Sequence, residues 1–293
     1  MTEIIKESTS WYLERITGSQ QWKEHISELL AVYLNSGLAP PHLQQEIETR
    51  SEQKIMAYAW EAMLYHHFRN LGFQFRTDHL HKSGQDGPDI GIICARHTIW
   101  IEAVVPEPKD IPPEWVNQTP PMVMSMPEEQ MLLRWTSALR DKNENLKKRL
   151  QTGVVQSDES YVVAINSCML SWFPKPEVGI TGWPLVVEAV FPVSIPGIQV
   201  NDKDEWKEIH RPRYIIEKHK NKAQVRTDNF LDHEYSGISA LIGCSQNESI
   251  NGSLSFEIVH NPLACNPLPT GLLGAKDEYV AKCEGEEYHL TRI

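Results

Sequence analysis

The chain has 293 residues, 41% of them hydrophobic, and carries 28 Lys and Arg against 39 Asp and Glu, a formal net charge of −11 at pH 7. That length and apolar share suffice for a large core in one elaborated domain or two closely joined ones, and no repeat or low-complexity tract interrupts it. No window approaches the ~20 apolar residues needed to span a bilayer, and the acidic balance repels a polyanion at long range, so any nucleic-acid contact has to rest on local basic clusters.

The first 48 residues read as helical. Trp11, Tyr12 and Ile16, then Trp22, Ile26, Leu29, Leu30 and Tyr33, fall at helical spacings before Gly37 and Pro40-Pro41 interrupt. Residues 1–48 are therefore expected as a helical N-terminal extension, serving as a cap or as a surface for a homodimer or a protein partner. Charges scattered through MTEIIKESTSWYLERITG leave no continuous apolar region of the secretory type, and a soluble cytoplasmic protein is expected.

From Glu52 to Leu71 the spacing predicts a helix with Ala57, Tyr58, Leu64, Tyr65, Phe68 and Leu71 on one stripe and Gly72 as its stop. Glu61 falls in the middle of that stripe. At about 100° per residue, Ala57, Leu64, Tyr65 and Phe68 lie within roughly 60° of it. A glutamate on the buried side of this helix is a candidate to point toward Asp89 and Glu102, and the alternative is a helix-end glutamate satisfied by Lys54 or a tyrosine hydroxyl. His66 and His67 point about 100° apart on such a helix and cannot share one ion. His79 and His81 form no zinc-finger or HExxH pattern with their neighbours.

The stretch GPDIGIICARHTIWIEAVV, from Gly87 to Val105, reads as a β-hairpin whose first strand opens at Asp89 and whose second carries Glu102 among apolar residues. Ionised carboxylates in such surroundings lose hydration, which is tolerated where a cation, a hydrogen-bond network or chemistry compensates. By period-2 alternation Glu102 and Val104 share one face, and Ile101 and Ala103 the other. The proline-rich segment from Glu107 to Met126 is expected to be irregular, gating a groove or simply spanning the molecule.

Pro127 to Leu150 reads as one long helix, acidic at its start (Glu128, Glu129) and basic at its end (Lys147, Lys148, Arg149), as the helix dipole favours. Leu132, Trp135, Thr136, Leu139 and Leu146 form its apolar stripe. Lys142 stands at the border of the stripe, where a long side chain can bury its stem and deliver its ammonium elsewhere. Arg134, Ser137 and Lys142 are taken as candidates for phosphate contact or charge stabilisation, against the plainer reading of solvated charges.

The distal half is strand-rich, with strands expected at Tyr161 to Asn166, Leu185 to Phe191, Tyr214 to Glu217, Ile238 to Cys244 and Leu254 to Val259, and turns at Pro196-Gly197 and Asn251-Gly252. Within it, residues 206–226 gather Arg211, Arg213, Lys218, Lys220, Lys222 and Arg226 around Trp206 and Tyr214. That mixture suits a phosphate-tracking face with stacking groups, or a solvated surface. The five cysteines at 94, 168, 244, 265 and 283 contain no CxxC pair and are expected to be reduced, with Cys94 and Cys168 buried and inert. Minimal signatures for a serine-hydrolase elbow, a P-loop or a dinucleotide fold are missing from the sequence.

A helix carrying Glu61, then Gly87-Pro88-Asp89, then a strand carrying Glu102 resembles the core of the restriction-endonuclease-like, or PD-(D/E)XK, nuclease superfamily. The resemblance covers roughly residues 50 to 105 by motif, with the helix from Pro127 and the strand from Tyr161 as continuation. It implies an α/β fold with a mixed central sheet flanked by helices over residues 49–293, and phosphodiester hydrolysis of nucleic acid, DNA ahead of RNA, with Mg²⁺ or Mn²⁺. Asp89 and Glu102 would then be metal ligands, with the Ala103 carbonyl as a third oxygen, and Glu61 would hold a water of the ion's shell. The chain departs from the pattern at Val104, where the superfamily has lysine. Either Lys142 supplies the displaced cation, or the fold survives as a catalytically inactive protein- or nucleic-acid-binding module. Arg134, Ser137, Arg211, Arg213, Lys218 and Lys220 would contact the nucleic acid.

Overall fold

A computed structural model describes residues 20–40, 42–48, 51–77, 87–95, 97–117, 126–171, 181–200, 205–218, 222–246, 254–285 and 287–293. The fold is α/β. Helices α1 (Gln20–Asn35), α2 (Leu43–Glu48) and α3 (Glu52–Asn70) precede the short strand β1 (Gln74–Phe75) and the hairpin β2 (Ile90–Cys94) and β3 (His97–Val104). Helix α5 (Glu128–Thr152) returns the chain to β4 (Ser160–Asn166). Together with β9 (Ala240–Cys244), β10 (Glu257–His260), β11 (Asp277–Glu284) and β12 (Glu287–Arg292), these strands make an eight-stranded sheet in the order β1-β2-β3-β4-β9-β10-β11-β12. The central pairs β3–β4 and β4–β9 are parallel, and β2–β3 and β9–β10 are antiparallel.

Alternation along the strands explains why there are two cores. Ile99, Ile101, Ala103 and Val105 point into a cluster with Ile26, Leu30, Tyr33, Trp60, Leu64 and Phe68 of α1 and α3, joined by Val162 and Ala164 of β4. Trp100, Tyr161, Val163 and Ile165 point to the opposite face, onto Leu132, Trp135, Leu139 and Leu146 of α5. Each fully buried Leu, Ile or Phe contributes about 1.5–3 kcal/mol. Period 2 therefore places Glu102, between Trp100 and Val104, on the α5 face. Helix α3 is fastened to the sheet by Trp60, whose indole N–H donates to the Ala164 carbonyl at 2.9 Å, and by Gln53, which donates to the Val105 carbonyl.

Helix α1 belongs to the same core as α3, so the apolar stripe of Ile26, Leu29, Leu30 and Tyr33, read as a partner surface, is covered within the chain. The expected Trp11, Tyr12 and Ile16 helix lies outside the described residues, as do the Asn251-Gly252 turn, His79, His81 and Lys220.

Several expectations are corrected. The run from Leu185 to Phe191 is not a strand: residues Leu185–Glu188 form the helical turn α6, starting after Pro184. Leu185, Val186, Val187, Ala189, Val190 and Phe191 are all buried, and a run apolar on every side has no period to tell a strand from a buried helix. Among its described residues, the segment from Glu107 to Met126 forms a helical turn, α4 (Pro113–Val116), with proline at its first position, where the missing N–H costs nothing. Pro196 and Gly197 lie inside β5 (Ser194–Val200), which pairs with β6 (Trp206–Pro212) in a separate two-stranded ribbon. Strand β7 (Ile215–Glu217) pairs with β8 (Gln224–Arg226) in another. The cysteines are free, but Cys94 and Cys168 are half-buried rather than fully enclosed.

Candidate active site

Strand β3 sets the floor of the site. Glu102 is 2% exposed and faces α5. Both its oxygens accept from that helix: Oε1 from Lys142 Nζ at 2.7 Å and Oε2 from Arg149 Nη1. Lys142 and Arg149 are seven residues apart, two helical turns, so they emerge on one face of α5 and descend on the same carboxylate. A buried carboxylate with a cation on each oxygen has its lost hydration replaced by charge-assisted hydrogen bonds.

Asp89 follows Gly87-Pro88 at the entry to β2 and is half-buried. Its Oδ2 accepts from the backbone N–H of Ala103 at 2.7 Å, beyond the last β2–β3 pair, Ile90 with Ile101. The side chain of Asp89 thus extends the hairpin ladder by one bond and lies alongside the residue after Glu102. Glu61, in the middle of α3, is 8% exposed. It accepts from the Tyr33 hydroxyl at 2.9 Å through Oε2. Of the two alternatives named for Glu61, a tyrosine hydroxyl does reach it, while Lys54 is bonded to Glu46 at 2.8 Å.

The three acids influence one another. Burial first and the Glu102 carboxylate second push Asp89 from its ordinary 3.8 up to about 7, against the pull of Lys142, the Ala103 N–H and Arg149. Glu61 is pushed well above the usual carboxylate range, by burial first and the neighbouring Asp89 second, while Tyr33 and Lys142 pull the other way. Burial pulls the Lys142 ammonium down, but Glu102 and Asp89 more than offset this and its pKa ends raised. Burial, and only then the neighbouring carboxylates, opposes ionisation of Asp89 and Glu61 although Lys142 and Arg149 are close by, a setting in which a cation brought to these carboxyls would favour their charged forms.

The donor set is all oxygen, the kind preferred by Mg²⁺ and Mn²⁺ rather than zinc. Among the described residues no three Asp, Glu, His or Cys side chains are already gathered as a metal cage. The donors fit a hard divalent ion in kind, and Glu102 holds its two cations where such an ion would bind.

Arg149 is the member that sequence reading missed. It was read as a dipole-matching charge in the last helical turn, yet its side chain is 8% exposed and reaches Glu102, the Tyr161 hydroxyl at 2.9 Å and the Gly87 carbonyl at 2.8 Å. The overlooked signal was the seven-residue spacing from Lys142, which puts both cations on the sheet-facing stripe. Val104 packs half-buried against the α5-side core.

The remaining predicted residues stand apart from the acids. Arg134 and Ser137 are half-buried on α5, about 12 Å and about 7 Å along the helix axis from Lys142. Among the described residues neither bonds any of the three acids. Arg211 and Lys218 are exposed, as are Trp206 and Tyr214, at 71% and 49%. Arg213 is not on that surface. It is buried and clamped between Glu128 and Glu188, and it corrects the expectation of a phosphate contact. A buried guanidinium bonded to two carboxylates ties α5 to α6. His67 donates its Nε2–H to the Leu273 carbonyl oxygen at 2.8 Å and is a packed histidine.

Comparison of the chain with protein-family models, with curated proteins and with solved structures finds no match to any of the three. The functional reading therefore rests on the residues of this chain alone.

Proposed function

We propose that this chain is a metal-dependent nuclease of restriction-endonuclease-like build, hydrolysing phosphodiester bonds of nucleic acid, with DNA the favoured substrate. The observation that carries the reading is the delivery of Lys142, from α5, to within 2.7 Å of a Glu102 oxygen. An ammonium on that carboxylate supplies the cation that Val104 lacks.

In this reading Asp89 and Glu102 hold the ion and Glu61 lines its outer side. Mg²⁺ or Mn²⁺ bound there lowers the pKa of water and offsets charge on the phosphate. Lys142 remains an ammonium through the neutral range and is the less enclosed of the two α5 cations, its side chain 19% exposed against 8% for Arg149. It is the one able to meet a phosphate oxygen as negative charge builds there. Glu61, whose ionisation is opposed by burial and by Asp89, is placed to hold a proton and to orient water by hydrogen bonding.

A second reading has its own support. Glu102 already has a cation on each oxygen, so its charge is balanced without a metal, as in a nuclease fold retained as an inactive binding module. Incubating the full chain with supercoiled plasmid, single-stranded DNA and RNA, in Mg²⁺, in Mn²⁺ and in chelator, separates the two. The nuclease reading predicts cleavage that requires the metal and is lost in Asp89→Asn and Glu102→Gln. Retention of every substrate intact in both metals, by protein that binds DNA or a protein partner, would establish the inactive module instead.

A further inference from the structure

We infer that Arg149 is a positioning residue that sets the spacing between the two acids at the heart of the site, holding Glu102 on the sheet and the Gly87-Pro88-Asp89 turn to one rigid fork. The inference deepens the nuclease reading and rests on it for its consequence, but its structural content can be tested without it.

Asp89 enters the site from an irregular turn, before β2 begins at Ile90, so the sheet ladder does not itself fix the turn. Bonds among the described residues do so, the Asp89 side chain accepting from the Ala103 N–H and Arg149 Nη2 donating to the Gly87 carbonyl at 2.8 Å. The same guanidinium, through Nη1, holds Glu102 and the Tyr161 hydroxyl. Arg149 therefore joins the turn that carries Asp89 to the strand that carries Glu102, while Tyr161 on β4 fixes the orientation of the guanidinium plane. Enclosure of the side chain keeps it from substrate. A planar fork can hold three acceptors at fixed angles, whereas a lysine ammonium at the same place is a point charge on a flexible stem. Charge alone does not define the role: Lys142 already supplies a cation to Glu102 from the same helix face.

The test compares wild type, Arg149→Lys and Arg149→Met, all as the full chain. The first readout is amide hydrogen exchange, without metal, at Ala103, whose N–H is held by the Asp89 side chain, and at Ile242 in the centre of the sheet as a control. Positioning predicts that both variants exchange at Ala103 at least tenfold faster than wild type, with Ile242 unchanged. The second readout is Mn²⁺ affinity by calorimetry. Positioning predicts about tenfold weaker binding in Arg149→Met, with Arg149→Lys failing to restore it, and in cleavage assays a lower kcat at an unchanged KM. Where Arg149→Met does not fold, Tyr161→Phe, which removes one anchor of the guanidinium, takes its place with the same expected direction. Ala103 exchange unchanged in a folded variant, or wild-type behaviour in Arg149→Lys, would overturn the inference. Absence of Mn²⁺ binding by wild type would sink the nuclease reading, and the Ala103 exchange result would still decide the role of Arg149.

Discussion

Lys142 and Glu102 are forty residues apart in the chain and 2.7 Å apart in space, joined because α5 lies along the face of β3 that carries the glutamate. Lys142→Met tests what that pair does. One charge-assisted bond to a carboxylate contributes about 1.5–3 kcal/mol, and Arg149 stays on the other oxygen, so the variant should fold with a modest loss of stability. Cleavage should fall about 10²–10³-fold, the typical cost of removing one preorganised donor at developing charge. Mn²⁺ affinity should hold or rise, since a competing cation has left Glu102. Cleavage unaffected by the substitution would mean that Lys142 is a structural counter-ion only.

Asp89 makes stability depend on pH in an unusual direction. Its carboxyl titrates at about 7 when folded against an ordinary 3.8, so between those values the folded chain binds a proton that the unfolded chain has released. Stability from this group is therefore present at low pH and is lost as pH rises through that window. Asp89→Asn keeps an acceptor for the Ala103 N–H and removes the charge. In chelator at about pH 8 the variant should be more stable than wild type by on the order of 2 kcal/mol, the difference shrinking toward pH 4. Thermal unfolding scans across that range check it. A variant less stable than wild type throughout would contradict the electrostatic account.

Much of the site was legible in the sequence, for identifiable reasons. Glu61 falls in the centre of an apolar helical stripe and Glu102 in the middle of an apolar strand, two placements that binary patterning makes visible because each breaks it. Asp89 after Gly87-Pro88 was visible as the acid opening the hairpin. Arg149 was not, because a cation in a last helical turn has an adequate local explanation in the helix dipole. Arg213 misled for the opposite reason: it stands in a run of basic residues, and nothing local reveals that Glu128 and Glu188 come to it from 85 and 25 residues away. Strand β12, EYHLTR, alternates weakly because it is the exposed edge of the sheet, and it went unread.

The two arginines of β6 and its exit should behave differently. Arg213→Ala strands two buried carboxylates and should cost about 3–5 kcal/mol, with nucleic-acid affinity per folded molecule unchanged. Arg211→Ala or Lys218→Ala, at exposed positions, should leave stability within about 0.5 kcal/mol. If the surface around Trp206 meets a DNA backbone, each should reduce the slope of log affinity against log salt by about 0.9. Urea unfolding paired with DNA titrations at several salt concentrations measures both. An Arg213 variant that is fully stable yet defective in DNA binding would reverse the assignment.

Gly243 in β9 marks how closely α6 lies on the sheet: a Cβ there would stand 2.5 Å from Val186 Cβ. Gly243→Ala should destabilise by about 1–3 kcal/mol through overpacking. Val186→Gly, which removes the Cβ that the new methyl would meet, should make Gly243→Ala less costly than it is in wild type, and denaturant midpoints of the single and double variants report the coupling. Strictly additive losses would show that α6 does not pack there.

The central claim is that Asp89 and Glu102, with Glu61 beside them, hold one hard divalent cation. Calorimetric titration of Mn²⁺ into the full chain at about pH 8, repeated with Asp89→Asn and Glu102→Gln, tests it most directly. The account predicts one saturable site per chain in wild type and its loss in both variants. No binding by wild type, or binding that survives both substitutions unchanged, would contradict it.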